Sequence, residues 1–345
     1  MLTPKSLRAV FLAVLILGVF VCDQRHGGRD AGFPTSPNTE QTPGSPDSPE
    51  NPGTTGSSND TLYIYCLDVG QGDATLIVSP AQQTMLVDAG KNGRGNSEVI
   101  PFLNNMGITS LDYIVATHYH EDHIGGIDEV IISLSLDSVD CVFDRGGSYS
   151  TQTYDDYVAA ADTKRTTIEL GQVISLGAGV SLTCVAVNAE ALESGVSLGS
   201  AFNENDLSVA LKLTYEEFDF FVGGDLSGAD SGGYTDVETL TAPAVGKVEV
   251  YQVNHHGSKY SSNPFFLETL YPIVSIISVG NNSYGHPDPG TVTRLEEVSW
   301  EVLQTEDGDG NVVDGDVDIK YSPSSEDFFV KGSLYSIQLG NCVRP

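Results

Sequence analysis

The sequence predicts an α/β domain in which two sheets pack together and helices cover their outer sides. Apolar runs of strand length alternate with helical patterns throughout residues 61–345. The order of strands followed by helices in the first half of this region recurs in the second half. Because each element buries its apolar face against another layer, this order is typical of packed sheets with helices outside.

Turns that contain glycine or proline separate the predicted elements. In the first half these are strands Leu62–Val69, Ala74–Val78 and Thr84–Val87, helix Glu98–Met106, strand Leu111–Ala116, helix Ile127–Leu134, strand Val139–Phe143 and helix Tyr154–Asp162. In the second half they are strands Ser181–Val187, Leu207–Tyr215, Phe218–Val222 and Val248–Val253, helix Pro264–Leu270, strand Val274–Val279 and helix Val292–Val298.

Residues 1–22 are predicted to be a secretion signal, and residues 23–60 a disordered linker rich in Pro, Ser and Thr. Lys5 and Arg8 precede an apolar stretch that is short for a membrane span. Cys22 lies where a bacterial lipoprotein signal has its lipidated cysteine, so we predict lipid attachment there. The protein is then expected outside the cell, tethered to the surface, with the lipid anchor as its membrane contact.

Four further cysteines lie far apart in the sequence, which argues against a zinc cluster built from them. Two arrangements are open, namely two disulfides, which an extracellular protein can form, or buried free thiols. These cysteines are Cys66, Cys141, Cys184 and Cys342.

The net charge of the whole chain is −31, and its acidic residues are spread along the domain. It argues against ordinary tight binding of nucleic acid, because such binding needs Lys and Arg to neutralise phosphates. A high-salt habitat is an alternative explanation, since molar salt screens repulsion beyond about 3 Å. Both explanations remain open from the sequence.

A run of metal-binding side chains follows the predicted strand Leu111–Ala116. His118, His120, Asp122 and His123 lie within six residues, on a loop between a strand and a helix. On such a loop, His118 and His120 can bind one ion together, while Asp122 and His123 turn toward a second. Neutral imidazoles with a carboxylate suit zinc, manganese or iron.

Further motifs occur in a characteristic order with this run. They are Leu67–Ala74, Leu86–Gly90, Gly125-Gly126, Val222–Asp225, His255–Ser258 and Ser278–Pro287. With them the chain resembles the metallo-β-lactamase superfamily and, more finely, the hydrolase-like domain of the ComEC competence proteins, from about Leu62 to Lys320. The resemblance implies a four-layer αββα sandwich for residues 61–345. It also implies two divalent ions, zinc or manganese, at one edge between the sheets.

The resemblance also implies a ligand set for these ions. Asp225 is expected to bridge them, although a turn aspartate is the alternative. Because side chains alternate along a strand, only one of two adjacent histidines is expected to point at the site, and the resemblance favours His255 over His256. The predicted ligands are His118, His120, Asp122, His123, Asp225 and His255.

No histidine lies between His123 and His255 in the sequence. Many members of the superfamily supply one there, and Asn205 resembles the residue of the finer family at this position. One ion is therefore expected to have fewer nitrogen ligands, to bind more weakly and to tolerate manganese or magnesium. This departure weighs against a role in antibiotic degradation.

Three residues are predicted to be catalytic: Asp122, Asn205 and His286. His286 is expected to contact phosphate or to protonate the leaving group, with a loop histidine in a turn as the alternative. Asp88 is expected either to lie near the site or to stabilise only the turn that contains it. Residues predicted to contact substrate or to orient ligands are Asp68, Gln71, Asp73, His256, Ser258 and Tyr284.

The predicted function is a secreted or surface-tethered metal-dependent hydrolase. The resemblance favours a phosphodiesterase or nuclease that acts on extracellular DNA or RNA, with partners in a competence system. One alternative is a non-catalytic module that binds DNA for uptake. Another is a phosphodiesterase of small substrates such as phosphorylcholine esters.

Overall fold

The computed structural model describes residues 60–196, 198, 202–325 and 327–337. The predicted secretion signal with Cys22, the linker up to residue 59, and Cys342 lie outside these ranges. Within them, no helix combines the length and the apolar character needed to cross a membrane.

The described residues form strands and helices in the following order along the chain. The strands are β1 (Leu62–Cys66), β2 (Thr75–Val78), β3 (Thr84–Val87), β4 (Leu111–Val115), β5 (Val139–Asp144), β6 (Arg165–Thr167), β7 (Val173–Ser175), β8 (Ser181–Val187), β9 (Glu190–Ala191), β10 (Ala210–Tyr215), β11 (Phe218–Val222), β12 (Val250–Gln252), β13 (Val274–Ile277), β14 (Glu301–Gln304), β15 (Val317–Tyr321), β16 (Asp327–Val330) and β17 (Ser333–Ser336). The helices are α1 (Ile100–Met106), α2 (Glu121–Ile124), α3 (Ile127–Leu134), α4 (Gln152–Ala161), α5 (Glu238–Val245), α6 (Pro264–Leu270) and α7 (Pro289–Val298).

The strands form two sheets. The nine-stranded sheet has the order β17-β16-β15-β1-β2-β3-β4-β5-β6, and the eight-stranded sheet has the order β14-β13-β12-β11-β10-β8-β7, with β9 paired to β8. Strands β3, β4 and β5 are parallel neighbours in the first sheet, as are β11 to β14 in the second. Parallel neighbours bring the carboxyl ends of their strands to one edge of the sheet, where ligands commonly bind.

Alternation of side chains along the strands accounts for the layers. In β1, Leu62 and Ile64 belong to the apolar cluster formed by both sheets. Tyr63 and Tyr65 point to the opposite face, into a cluster that includes α1, α3 and α4. A third cluster joins the second sheet to α5, α6 and α7. The layers are therefore helix, sheet, sheet and helix, and the predicted αββα sandwich is confirmed.

Many element boundaries differ from the prediction by a few residues, and strands β6, β7, β9 and β14 to β17 are absent from it. A π-helical segment, Gly95–Val99, precedes α1. The strand predicted from Leu207 begins at Ala210, because Asn205–Leu207 forms a 3₁₀ turn. Helix α5 is missing from the sequence prediction, since Pro243 inside it argues against a helix.

The cysteines within the described ranges favour the free-thiol alternative. Cys66 and Cys184 are buried free thiols, and Cys141 is buried as well. Burial raises the pKa of the Cys66 and Cys184 thiols to about 12. Such thiols stay protonated at neutral pH and are therefore unreactive.

Candidate metal centre

Loops that follow four parallel strands bring the predicted site residues together. The histidine run follows β4, and Asp225 follows β11. The adjacent histidines His255 and His256 follow β12, and the loop with His286 follows β13. Gly224 lets the first two loops meet, because its φ is +53° and a Cβ there would lie 2.5 Å from Thr117 Oγ1. The convergence therefore depends on parallel strand ends and on one glycine.

The first metal-capable group consists of His118, His120 and Asp225. Their ligand atoms all lie within 4.8 Å of one another. His118 Nε2 is 3.0 Å from His120 Nδ1 and 3.6 Å from Asp225 Oδ2. This spacing suits one divalent ion held by two imidazoles and a carboxylate oxygen.

The second group consists of Asp122, His123 and His256, and it also reaches Asp225. His256 Nε2 lies 3.6 Å from Asp122 Oδ2. The other Asp225 oxygen, Oδ1, lies 3.1 Å from His123 Nε2 and 3.4 Å from His256 Nε2. Since the two oxygens of Asp225 face different groups, its carboxylate could contribute a ligand atom to each group.

Several donor atoms in these groups are buried and have no hydrogen-bond partner among the described residues. They include His123 Nε2, His256 Nε2 and Asp225 Oδ1. Unpartnered buried polar atoms are costly, and so they mark places where an ion or a water belongs. The donor set therefore fits divalent metal ions.

Asp225 is held in its charged form. Burial alone raises its pKa, but the surrounding histidines, His255 and His123 foremost, outweigh burial and hold the pKa well below its usual range. A carboxylate that stays ionised in a buried position can attract two cations at neutral pH.

The geometry reverses the predicted order of the two adjacent histidines. His256 lies in the second metal-capable group, and its Nδ1 donates to the Ser278 carbonyl oxygen at 2.9 Å. His255 instead contacts Asn205 Nδ2 at 3.1 Å, and its Nε2 lies 3.7 Å from Asp225 Oδ2. The strand argument does not apply, because β12 ends at Gln252 and both histidines have positive φ, 54° and 52°. The metal-capable groups among the described residues therefore include His256 and not His255.

Asp88 orients the histidine run. Its Oδ1 accepts the Thr117 N–H at 2.8 Å, and its Oδ2 accepts both the Thr117 hydroxyl at 2.6 Å and His123 Nδ1–H at 2.8 Å. Burial raises the Asp88 pKa, while His123 opposes this effect. A carboxylate behind a histidine fixes its tautomer and leaves Nε2 for a metal.

Asn205 reaches the centre from the 3₁₀ turn Asn205–Leu207. Its Nδ2 donates to Asp225 Oδ2 at 3.1 Å, and its buried Oδ1 has no hydrogen-bond partner among the described residues. The preceding Glu204 accepts the Tyr119 N–H at 2.9 Å and pairs with Arg145 at 2.7 Å. The sequence analysis missed this buried ion pair, although a charged residue directly after strand β5 was the available signal.

The cluster predicted around the end of β1 divides in two. Asp73 is buried, and its Oδ1 lies 3.4 Å from His256 Nδ1. Gln71 lines the cavity above the donor groups. Asp68 instead accepts the Gly70 N–H at 3.1 Å and lies outside the cavity lining. The structure therefore brings Asp73 and Gln71 to the centre, but not Asp68.

A cavity of about 480 Å³ opens over the donor groups. It lies within the usual size range of small-molecule sites. The predicted residues Ser258, Tyr284 and His286 line it. Burial, together with His255 and His256, lowers the pKa of His286 to about 4. Five lining residues were missed. Glu121 lies inside the histidine run but was not predicted to be a site residue, and no motif marks the other four: Lys91, Tyr234, Lys259 and Tyr260.

Comparison with known families agrees with this geometry. The model of the metallo-β-lactamase superfamily matches residues 67–133, the segment that contains Asp73 and the histidine run. The predicted resemblance to this superfamily is confirmed. Together, the match and the donor set support a metal-dependent hydrolase in general.

The chain also resembles curated proteins and a solved structure. It is 29% identical over 260 residues to ComE operon protein 3 of Bacillus subtilis (strain 168), covering 70% of this chain and 31% of that protein. It is 26% identical over 242 residues to competence protein ComA of Neisseria gonorrhoeae, covering 69% and 30%. The chain thus spans about a third of the length of these relatives. The metallo-beta-lactamase fold protein YhfI from Bacillus subtilis is 13% identical, with a TM-score of 0.45 over 73% of this chain and 99% of that chain.

Proposed function

We propose that this protein is a metal-dependent phosphodiesterase that cleaves nucleic acid outside the cell, tethered to the surface through Cys22. The observation that carries the proposal is Asp225, whose two carboxylate oxygens face separate groups of metal-capable residues. Two divalent ions bound there, zinc or manganese, would supply a nucleophilic water and neutralise the charge that develops on phosphorus.

Different residues around that centre have different roles. Asp225 holds the two groups together, and Asp88 orients His123. His286, whose lowered pKa keeps it neutral at pH 7, has a buried Nδ1 with no partner among the described residues. It is available to exchange a hydrogen bond or a proton with a phosphate oxygen or a leaving group.

Two features favour a phosphodiester over a neutral substrate. Lys91 and Lys259 line the cavity of a chain that has only 16 basic residues against 47 acidic ones. Lysines beside a metal centre suit phosphate groups. The similarity to competence protein ComA of Neisseria gonorrhoeae favours a competence system as the setting, in which the substrate would be nucleic acid.

A small phosphodiester such as a phosphorylcholine ester is the second candidate. The net charge of −31 repels a polyanion, whereas a small substrate with one negative charge is repelled much less. Tyr234, Tyr260 and Tyr284 line the cavity, and aromatic rings attract quaternary ammonium groups.

The test incubates zinc- or manganese-loaded protein with single-stranded DNA, duplex DNA, RNA, a phosphodiester dye and a phosphorylcholine ester, at low and at high salt. We expect polynucleotide cleavage that chelation abolishes. Cleavage of small esters alone would support the second candidate. Binding of DNA without cleavage under every metal condition would mean a non-catalytic uptake module.

Tethering has its own test. Expression with a labelled fatty acid should label the wild-type chain, and the Cys22→Ala variant should lose the label and leave the membrane fraction. An unlabelled wild-type chain would contradict the proposed anchor.

A further inference from the structure

Tyr284 is an exposed ring on the wall of the catalytic cavity. It is 71% exposed, more than any other aromatic residue among the described ones. Its ring stacks on that of His286, with centroids 5.8 Å apart and planes tilted by 26°. One face of the ring is therefore covered by a residue of the centre, while most of the remaining ring surface is open.

The loop that carries this ring is held in place by Asn282. Asn282 Oδ1 accepts the backbone N–H groups of Tyr284, Gly285 and His286 at 3.0 to 3.1 Å. Its Nδ2 donates to the carbonyl oxygens of Gly280 and His286 at 2.8 Å. Exposed aromatic residues are common by themselves. An exposed ring on a fixed loop beside a metal centre is a preorganised platform for stacking.

The two lysines of the cavity come from different parts of the fold. Lys91 follows strand β3 of the first sheet, and Lys259 follows the histidine pair after β12 of the second. On the strongly acidic chain they are the lysines that reach the cavity lining. They share the lining with Glu121, Asp122 and Asp225, so the phosphates of a polyanion meet positive charge at these two lysines rather than along the whole cavity.

We propose that Tyr284 stacks on an unpaired nucleobase of the substrate strand, while Lys91 and Lys259 bind phosphates next to the scissile one. This inference rests on the proposed phosphodiesterase function and specifies its substrate. A base exposes its face to an aromatic ring only when it leaves the base stack, as in a single strand. Two lysines also suit one strand better than a duplex, which has one phosphate charge for about every 1.7 Å of its axis.

The test measures equilibrium binding of a labelled thymidine strand and of an abasic strand of equal length. Fluorescence anisotropy on the zinc- or manganese-loaded full chain, with strands whose phosphorothioate linkages resist cleavage, reports binding without cleavage. We expect Tyr284→Leu to weaken binding of the thymidine strand by about tenfold and binding of the abasic strand by less than about twofold, because only the former has bases to stack. Tyr284→Phe should retain the wild-type ratio between the two strands.

Tyr271→Leu is the matched control. Tyr271 is 40% exposed at the end of α6, has the Lys247 ammonium 6.0 Å from its ring centroid, and lies outside the cavity lining. Tyr271 is therefore, like Tyr284, an exposed tyrosine, but it lies away from the centre. Its variant should keep the wild-type ratio between the two strands.

The lysines are tested by salt dependence. In the Lys91→Gln/Lys259→Gln variant, the slope of log affinity against log salt should become less negative by about 0.7 per lysine, for both strands. The comparison with wild type cancels the repulsion by the acidic surface, which both proteins share. Lys247→Gln should shift the slope much less.

Outcomes for the inference and for the function are separate. If Tyr284→Leu loses the same affinity for both strands, Tyr284 does not stack on a base. Tighter binding of duplex than of single strand would overturn the unpaired base. A salt slope that stays unchanged in the double lysine variant would overturn the role of the lysines in phosphate binding. Base-dependent binding without cleavage by the zinc- or manganese-loaded protein would remove the proposed function and leave stacking in place. If the wild type cleaves the strand and Tyr284→Leu has an unchanged KM, the proposed function stands and stacking by Tyr284 is overturned.

Discussion

The two donor groups on either side of Asp225 are built differently. In the second group, His123 Nδ1 donates to Asp88 and His256 Nδ1 donates to the Ser278 carbonyl, so both imidazoles are oriented from behind. The first group also has two histidines, but among the described residues only His118 Nδ1 has such a partner, the Thr117 hydroxyl at 3.2 Å, while His120 is partly exposed. The amide of Asn205 lies beside Asp225 on this side. Hydrogen bonds that orient ligands increase metal affinity. The second group is therefore expected to hold its ion more tightly.

Removal of the shared carboxylate has the largest expected effect on this comparison. Asp225→Asn keeps the shape of the side chain but loses the charge that faces both groups. We expect both ions to be lost and turnover to fall by more than about a hundredfold, beyond the usual loss for an orienting residue.

Elemental analysis, turnover on a phosphodiester dye and thermal unfolding measure this change. The exposed Asp137→Asn is the charge-matched control and should behave as wild type. Wild-type turnover of Asp225→Asn at saturating metal would reduce Asp225 to a turn residue.

The second expected effect is specific to one group. Asp88→Asn retains an acceptor for the Thr117 N–H but presents an amide to His123 Nδ1–H. Affinity for the ion of the second group should fall by about 10 to 100-fold, and affinity for the first should change less. Metal titration by calorimetry checks this, and equal losses at both groups would refute the assignment of Asp88 to the second group.

Stepwise chelation tests the asymmetry in the unmodified protein. We expect one ion to leave at a lower chelator concentration than the other, because both imidazoles of the second group are oriented by Asp88 and the Ser278 carbonyl, whereas His120 of the first group is partly exposed. Elemental analysis after each step counts the ions that remain. Simultaneous loss of both, or a chain that never binds metal, is incompatible with two unequal groups.

The smallest expected effect is a gain. Asn205→His adds an imidazole beside Asp225, and we expect zinc affinity of the first group to rise by about tenfold, comparable to the effect of an orienting residue. The two chelation steps should then move closer together. If the gap between them stays as in wild type, Asn205 does not face the first ion.

Local patterns in the sequence predicted two packed sheets with helices outside and the ligand run after β4, whereas Asp225 and the later histidines were expected from the resemblance to the superfamily. Strand alternation and helical periodicity depend on neighbouring residues, and the ligands on the loop from His118 to His123 lie close together in the chain. The glycines before Asp225 also predicted a close approach of the backbone to the centre, because glycine has no side chain to prevent it. These features are set by short-range geometry, which a sequence displays directly.

Tertiary structure alone decided the rest. It chose His256 over His255, because both residues lie in a left-handed turn where strand alternation does not hold. It separated Asp68 from Asp73, and it joined Glu204 to Arg145 across 59 positions. It also brought Lys91, Lys259 and Tyr284 to one cavity from three loops. Such contacts depend on how distant segments pack, and packing is a property of the folded chain rather than of any local run of residues.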